Sequence, residues 1–143
     1  MIRQPQTDDE REKAYDLICQ LHAALSYPII DRDEYERRLV EAIEGGYKQY
    51  LYFKEEEVVG LIGFRILNDL LRPRRLFVDD LIIERHYRKQ GIGTELLDFA
   101  FEIAAKEKCR RVDLEAALTN ETGIMAYEHY GMIKSAYLMK KLL

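Results

Sequence analysis

The chain has 143 residues, 48% of them hydrophobic, which suits one domain, residues 1–143, able to bury a core without disulfide staples. Its 26 acidic residues against 22 Lys and Arg give a net charge of -4, so no positive field gathers nucleic acid and a cationic substrate is better suited. No apolar run approaches the roughly 20 residues of a bilayer span, no secretory leader opens the chain, and neither Cys19 and Cys109 nor His22, His86 and His129 have the spacing of a metal site. A cytoplasmic protein with free thiols, no metal and no membrane or nucleic-acid partner is expected.

Thr7-Asp8-Asp9-Glu10 has the form of a capping box, and Ala14, Leu17, Ile18, Leu21 and Leu25 follow at helical spacing, predicting a first helix that ends at Tyr27-Pro28. A second helix starts at Asp31 or Asp33, aligns Tyr35, Leu39 and Ile43, and stops at Gly45-Gly46. Tyr47–Lys54 and Val58–Leu67 are aromatic and β-branched, and the acidic turn Glu55-Glu56-Glu57 makes them a hairpin. Arg72-Pro73-Arg74-Arg75 interrupts the pattern and reads as a segment that keeps a loop soluble.

A strand over Leu76–Ile83 leads into Arg88-Lys89-Gln90-Gly91-Ile92-Gly93-Thr94, then a helix turning Ile92, Leu96, Leu97, Ala100, Ile103 and Ala104 to the core. A strand over Arg111–Ala116, a helix capped at Thr119 or Asn120 and ended by Gly131, and a last strand over Met132–Leu142 complete the order. The expectation is a mixed α/β (α+β) fold, with a mostly antiparallel central sheet of about six to seven strands, about four helices and one parallel βαβ crossover.

Gly91 and Gly93 leave a strand and open a helix, so bare backbone N–H groups and the helix dipole can face one concave site that suits phosphate. The nucleoside-triphosphate pattern GxxxxGK[ST] is absent, and the dinucleotide pattern GxGxxG fails where Leu96 stands. Two glycines alone make a tight turn more often than a ligand site.

The neighbouring residues favour a ligand. Arg88-Lys89-Gln90-Gly91-Ile92-Gly93 matches the signature Arg/Gln-x-x-Gly-x-Gly/Ala, Val78-Asp79-Asp80-Leu81-Ile82-Ile83 precedes it, and Asn120, Tyr127 and Gly131 follow. In these features the chain resembles the GCN5-related N-acetyltransferase family. The resemblance implies that Lys89, Gln90, Gly91, Ile92, Gly93 and Thr94, with Arg88 on the loop or on phosphate, hold the pyrophosphate of acetyl-CoA as co-substrate. It implies that the main chain of Leu81, Ile82 and Ile83 pairs with the pantetheine arm, and that Asn120 contacts the cofactor as well as capping its helix. Ala126 and Met132 replace the family's usual aromatics on either side of Tyr127.

Acetyl transfer needs a base for the amine and an acid for the leaving thiolate. By the resemblance, Tyr127 is the acid and Asp79 a carboxylate base, as in polyamine acetyltransferases, with Asp80 and Glu115 placed to bind the amine. Asp80 points away from Asp79 in a regular strand and a bulge changes that; the pair could equally be ion-paired to arginines such as Arg74 and Arg75. The acids that polyamine enzymes carry near the end of the first helix are absent from His22–Tyr27. The expected activity is direct transfer of acetyl to a primary amine of a small molecule. The alternatives are acetylation of a protein N-terminus or lysine, and a non-catalytic acyl-CoA sensor. The apolar segment Tyr137–Leu143 reads as an exchanged or edge strand, hence a homodimer.

Overall fold

In the computed structural model, which describes residues 1–143, Thr7 caps the first helix as its sequence pattern requires. Its hydroxyl accepts from the Glu10 amide while the Glu10 carboxylate accepts from the Thr7 amide, so helix α1, Asp8–Ala24, begins with both donors satisfied. Strand β1, Ile2–Arg3, precedes it, and Asp31 caps α2, Arg32–Glu44.

The hairpin forms as β2, Lys48–Lys54, and β3, Glu57–Leu67. Then come β4, Arg75–Ile83; a single 3-10 turn, Arg85–Tyr87; α3, Ile92–Lys106; β5, Arg111–Leu114; and α4, Glu121–Tyr130. One sheet in the order β1-β2-β3-β4-β5 results, antiparallel except for the β4–β5 pair. No helix is long and apolar enough to cross a membrane.

Alternation along β3 feeds both faces of the sheet. Leu61 joins Leu17, Ile18, Tyr35 and Leu51 under α1 and α2, while Ile62 and Phe64 join Leu96, Ala100 and Val112 under α3. Each fully buried leucine or phenylalanine contributes about 1.5–3 kcal/mol by leaving water. The middle strands are therefore clamped from two sides, and what they carry is held rigidly.

The sheet has five strands, not six to seven. The difference lies at the end of the chain: Met132–Leu142, expected as a strand, pairs with nothing. Its apolar sequence suits a strand, but a strand needs a partner, and the backbone from Ile133 onward makes no main-chain hydrogen bond.

Candidate active site

The site grows from an irregularity in β4. Gly63 of β3 stands opposite Asp80 and the next residue, Phe64, opposite Val78, so Asp79 is the extra residue of a bulge. On its other side β4 pairs with β5 only from Arg75 to Val78. Beyond that point the edge from Asp79 to Ile83 has no neighbour. Alternate main-chain groups of Leu81, Ile82 and Ile83 thus face an open slot.

The glycine turn stands at the far end of this edge. Gly91 takes a left-handed φ of 84° and Lys89 one of 61°, a fold of backbone that turns successive amides the same way. The amides of Lys89, Gln90 and Gly91 donate to no carbonyl of the chain, and no side chain caps α3. The first amides of α3 are free for the reason every helix start is. A Cβ added to Gly93 would meet nothing within 4 Å, so the nest opens to space. Arg88 directs its Nε to the Ile83 carbonyl at 3.1 Å, and the Gln90 Oε1 accepts from Lys54 at 2.8 Å. Those two side chains brace the loop and leave the backbone to meet an anion.

The bulge turns both carboxylates toward the α1–α2 face, and they meet different fates. Arg65, stacked over Phe77, donates from Nε and Nη2 to both oxygens of Asp79 at 2.8 and 2.6 Å. The arginine that claims Asp79 is thus Arg65; Arg74 reaches Glu107, and Arg75, buried, lies 2.8 Å from Asp69 and 3.3 Å from Asp113. Arg74 and Arg75 pin the loop to the frame, a firmer role than solubility.

Asp80 is more enclosed. The Tyr47 hydroxyl donates to its Oδ2 at 2.6 Å, and Gln49 Nε2 reaches the hydroxyls of Tyr47 and Tyr35 at 3.3 and 3.4 Å. Burial pushes the Asp80 carboxyl above its ordinary range despite the Tyr47 bond, and pushes the Tyr47 phenol well up too. Tyr47 fits only because residue 63 is glycine, since a Cβ there would lie 2.0 Å from its hydroxyl oxygen. Sequence reasoning missed Tyr47, Gln49, Gly63 and Arg65; a glycine inside an otherwise apolar strand was the one local sign of a close approach.

On the β5 side, Glu115 is exposed just past the last paired residue, Leu114. Asn120 caps α4 through its Oδ1, which accepts from Gly123 at 3.1 Å. Tyr127 is half-buried on α4 with no hydrogen-bond partner for its hydroxyl, and burial raises its phenol. Tyr130 ties the same helix to α3 through Asp98 at 2.6 Å. A surface concavity of about 550 Å³ lies elsewhere, between the start of α1 and the β2–β3 turn. Its wide mouth and charged walls lack the convergent lining of a small-molecule site.

A sheet that opens beside a bulged strand, with an anion nest on the following helix, is the arrangement of acyl-CoA-dependent acyltransferases. Residues 12–132 match the Acetyltransferase (GNAT) family, and the chain belongs to it. It is 30% identical over 91 residues to N-alpha-acetyltransferase 30 of Xenopus laevis, covering 64% of this chain and 33% of that protein, so it spans about a third of that relative's length. The fold superposes on a transcriptional regulator from Bacillus halodurans C-125 with a TM-score of 0.85 and 19% identity, over 100% of this chain and 99% of that one. It also superposes on AAC(6')-Iy, captured with the bisubstrate analog CoA-S-monomethyl-acetylneamine, with a TM-score of 0.81 and 14% identity, over 100% and 97%.

Proposed function

We propose that this chain is a cytoplasmic N-acetyltransferase that moves an acetyl group from acetyl-CoA directly to a primary amine of a small molecule. The observation that carries this is the free amide nest beside an unpaired strand edge, with a half-buried carboxylate, Asp80, on that same strand. Acetyl-CoA supplies the acetyl group as an activated thioester. The amides from Lys89 to Thr94 would hold its pyrophosphate, and the main chain of Leu81, Ile82 and Ile83 would align its arm and polarise its carbonyl. The two free cysteines suit a reducing compartment.

Asp79 and Asp80 compete for the role of base. Both oxygens of Asp79 are already engaged by the Arg65 guanidinium, which leaves neither free to meet an amine or its bridging water and disfavours Asp79 on geometry. Asp80 has its affinity for protons raised by burial and only one oxygen engaged, so it is the better base toward an ammonium, with Asp79 and Arg65 fixing the bulge. Glu115, at the opening, would attract the amine. Tyr127 keeps its proton at neutral pH and would deliver it to the departing sulfur. A second reading, acetylation of a protein N-terminus, is favoured by the likeness to N-alpha-acetyltransferase 30.

The test is thiol release from acetyl-CoA with a panel of small amines and of peptides with free N-termini. Turnover on small amines supports the first reading; turnover on peptides alone selects the second. Binding of acetyl-CoA without release by any acceptor makes the chain a sensor. Tyr127→Phe should lower kcat by about 10²–10⁴-fold. Asp80→Asn should lower it by about 10²-fold and flatten the acid side of the pH profile, where a base becomes protonated. If Asp79→Asn does this and Asp80→Asn does not, the base is Asp79.

A further inference from the structure

A net charge of -4 argued against an anionic partner, but a sum is blind to where charges gather. Residues 68–75 and 106–113 meet at one end of the sheet. There the Arg110 amide donates to the Arg74 carbonyl at 2.8 Å, the Arg74 Nε donates to the Glu107 carbonyl at 2.8 Å, and Arg75 stands opposite Arg111 in the β4–β5 pairing. These two segments hold seven Lys and Arg against three acids, a net +4, which leaves -8 for the rest of the chain. The three acids are already ion-paired, Asp69 to Arg75, Asp113 to Arg75 and Arg111, and Glu107 to Arg74. Exposed Arg72, Lys106, Lys108 and Arg110 form no ion pair. Beside them the loop between β3 and β4 carries Leu70 and Leu71, 108% and 87% exposed. That loop is a built turn: Asp69 Oδ1 accepts from the amides of Leu71 and Arg72 at 3.1 and 2.8 Å, and its Oδ2 lies 2.8 Å from Nη1 of buried Arg75. Two leucines are thus held out into water next to unpaired cations.

We infer that this pole docks the protein on the surface of an anionic lipid bilayer, with Leu70 and Leu71 entering the interface and Arg72, Lys106, Lys108 and Arg110 meeting headgroup phosphates. A protruding apolar tip encloses no small ligand, and a bare polyphosphate such as RNA offers two leucines nothing. A bilayer offers both partners, an apolar layer beneath a negatively charged surface. Apolar insertion and a basic cluster are also the two signals that together hold a peripheral protein where either alone is weak. The acidic remainder does not oppose this. The 15 residues of α3 run from the glycine nest to the pole, about 22 Å at 1.5 Å per residue, whereas charge at the headgroups is screened within about 8 Å at physiological salt. Because β4 also starts at the pole and ends at the slot, docking leaves the edge from Asp79 to Ile83 and the nest turned toward water. The pole stands apart from that site, so the inference does not rest on the acetyltransferase reading.

Co-sedimentation of the full chain with vesicles at physiological salt tests this. Vesicles of phosphatidylcholine with phosphatidylglycerol should bind it at least about tenfold more tightly than phosphatidylcholine alone. Leu70→Ser combined with Leu71→Ser leaves the charge unchanged and should weaken that binding about tenfold or more. Arg72→Ala and Arg110→Ala should weaken it about fivefold each. All four side chains are exposed, so circular dichroism and melting should match wild type. Ile29→Ser, a similarly exposed apolar change on the α1–α2 loop, should leave vesicle binding as it was. Equal binding to the two vesicles, or binding to neither, overturns the proposal. Binding that survives the leucine change would be charge attraction alone and overturns it too, as does an equal loss with Ile29→Ser, which would put the apolar contact elsewhere. Retention on single-stranded RNA without binding to vesicles would make the pole a nucleic-acid surface and equally sink the idea.

Discussion

Residues up to Val112 supply every buried side chain of the molecule, and those from Asp113 onward supply none. The first region has two cores, one on each face of the sheet, and the bulge, the carboxylates and the amide nest stand directly on them. The second region has half of a short parallel strand, a helix held by Tyr130 and Asp98, and a C-terminal segment that pairs with nothing. The proposed donor site is therefore built into a stiff frame, while the candidate acid Tyr127 rides on an element whose position depends on few contacts. Placing Tyr127 is the step most open to influence from outside the chain.

Core substitution tests that contrast most strongly. Leu96 is completely buried beneath β3 and β4, so Leu96→Ala should lower unfolding stability by about 2–5 kcal/mol, measured by urea denaturation. Met139→Ala should leave unfolding stability within about 0.5 kcal/mol of wild type, because the side chain is exposed. Comparable losses at both positions would mean that the two regions fold as one unit.

Gly63→Ala sharpens the comparison inside the first region. The new methyl would meet the Tyr47 hydroxyl at 2.0 Å and its ring carbons at 2.4 and 2.5 Å, so the ring must move and Asp80 loses its donor. The expected cost is about 1–3 kcal/mol in stability, with turnover falling further than in Gly46→Ala, where a Cβ meets nothing. Gly46 has a positive φ of 96°, so that control carries backbone strain without a clash.

What could be read from the sequence divides along the same line. The capping box at Thr7, the α3 core face and the Arg88–Thr94 turn were legible because each is fixed by residues within a few positions of one another. The bond from Tyr47 to Asp80 spans 33 positions, and the Arg65–Asp79 pair depends on a register shift that no local pattern announces. The last strand failed for a further reason. Its sequence suits a strand, but pairing is a property of two segments, and this chain leaves that one unpaired.

The smallest effect separates two carboxylates by the sign of their response to pH. Arg3 and two backbone amides hold Glu10 down to about 2 from an ordinary 4.5. A lowered value means the folded state prefers the charged form, so this contribution is present above about 4.5 and is lost as pH falls toward about 2. Asp80 is raised from 3.8 by burial, so the folded state prefers its neutral form. That preference favours folding below 3.8 and is lost as pH rises through the higher folded value. Relative to wild type, Glu10→Gln should thus be less stable at neutral pH and equal to it near pH 2. Asp80→Asn should be as stable or more stable at neutral pH, with the difference closing in acid, because asparagine keeps an acceptor for Tyr47 without a buried charge. Denaturant midpoints across that range give both signs, and a loss of stability in Asp80→Asn at neutral pH would show that the folded protein holds this site charged, removing the argument that burial tunes it toward proton transfer.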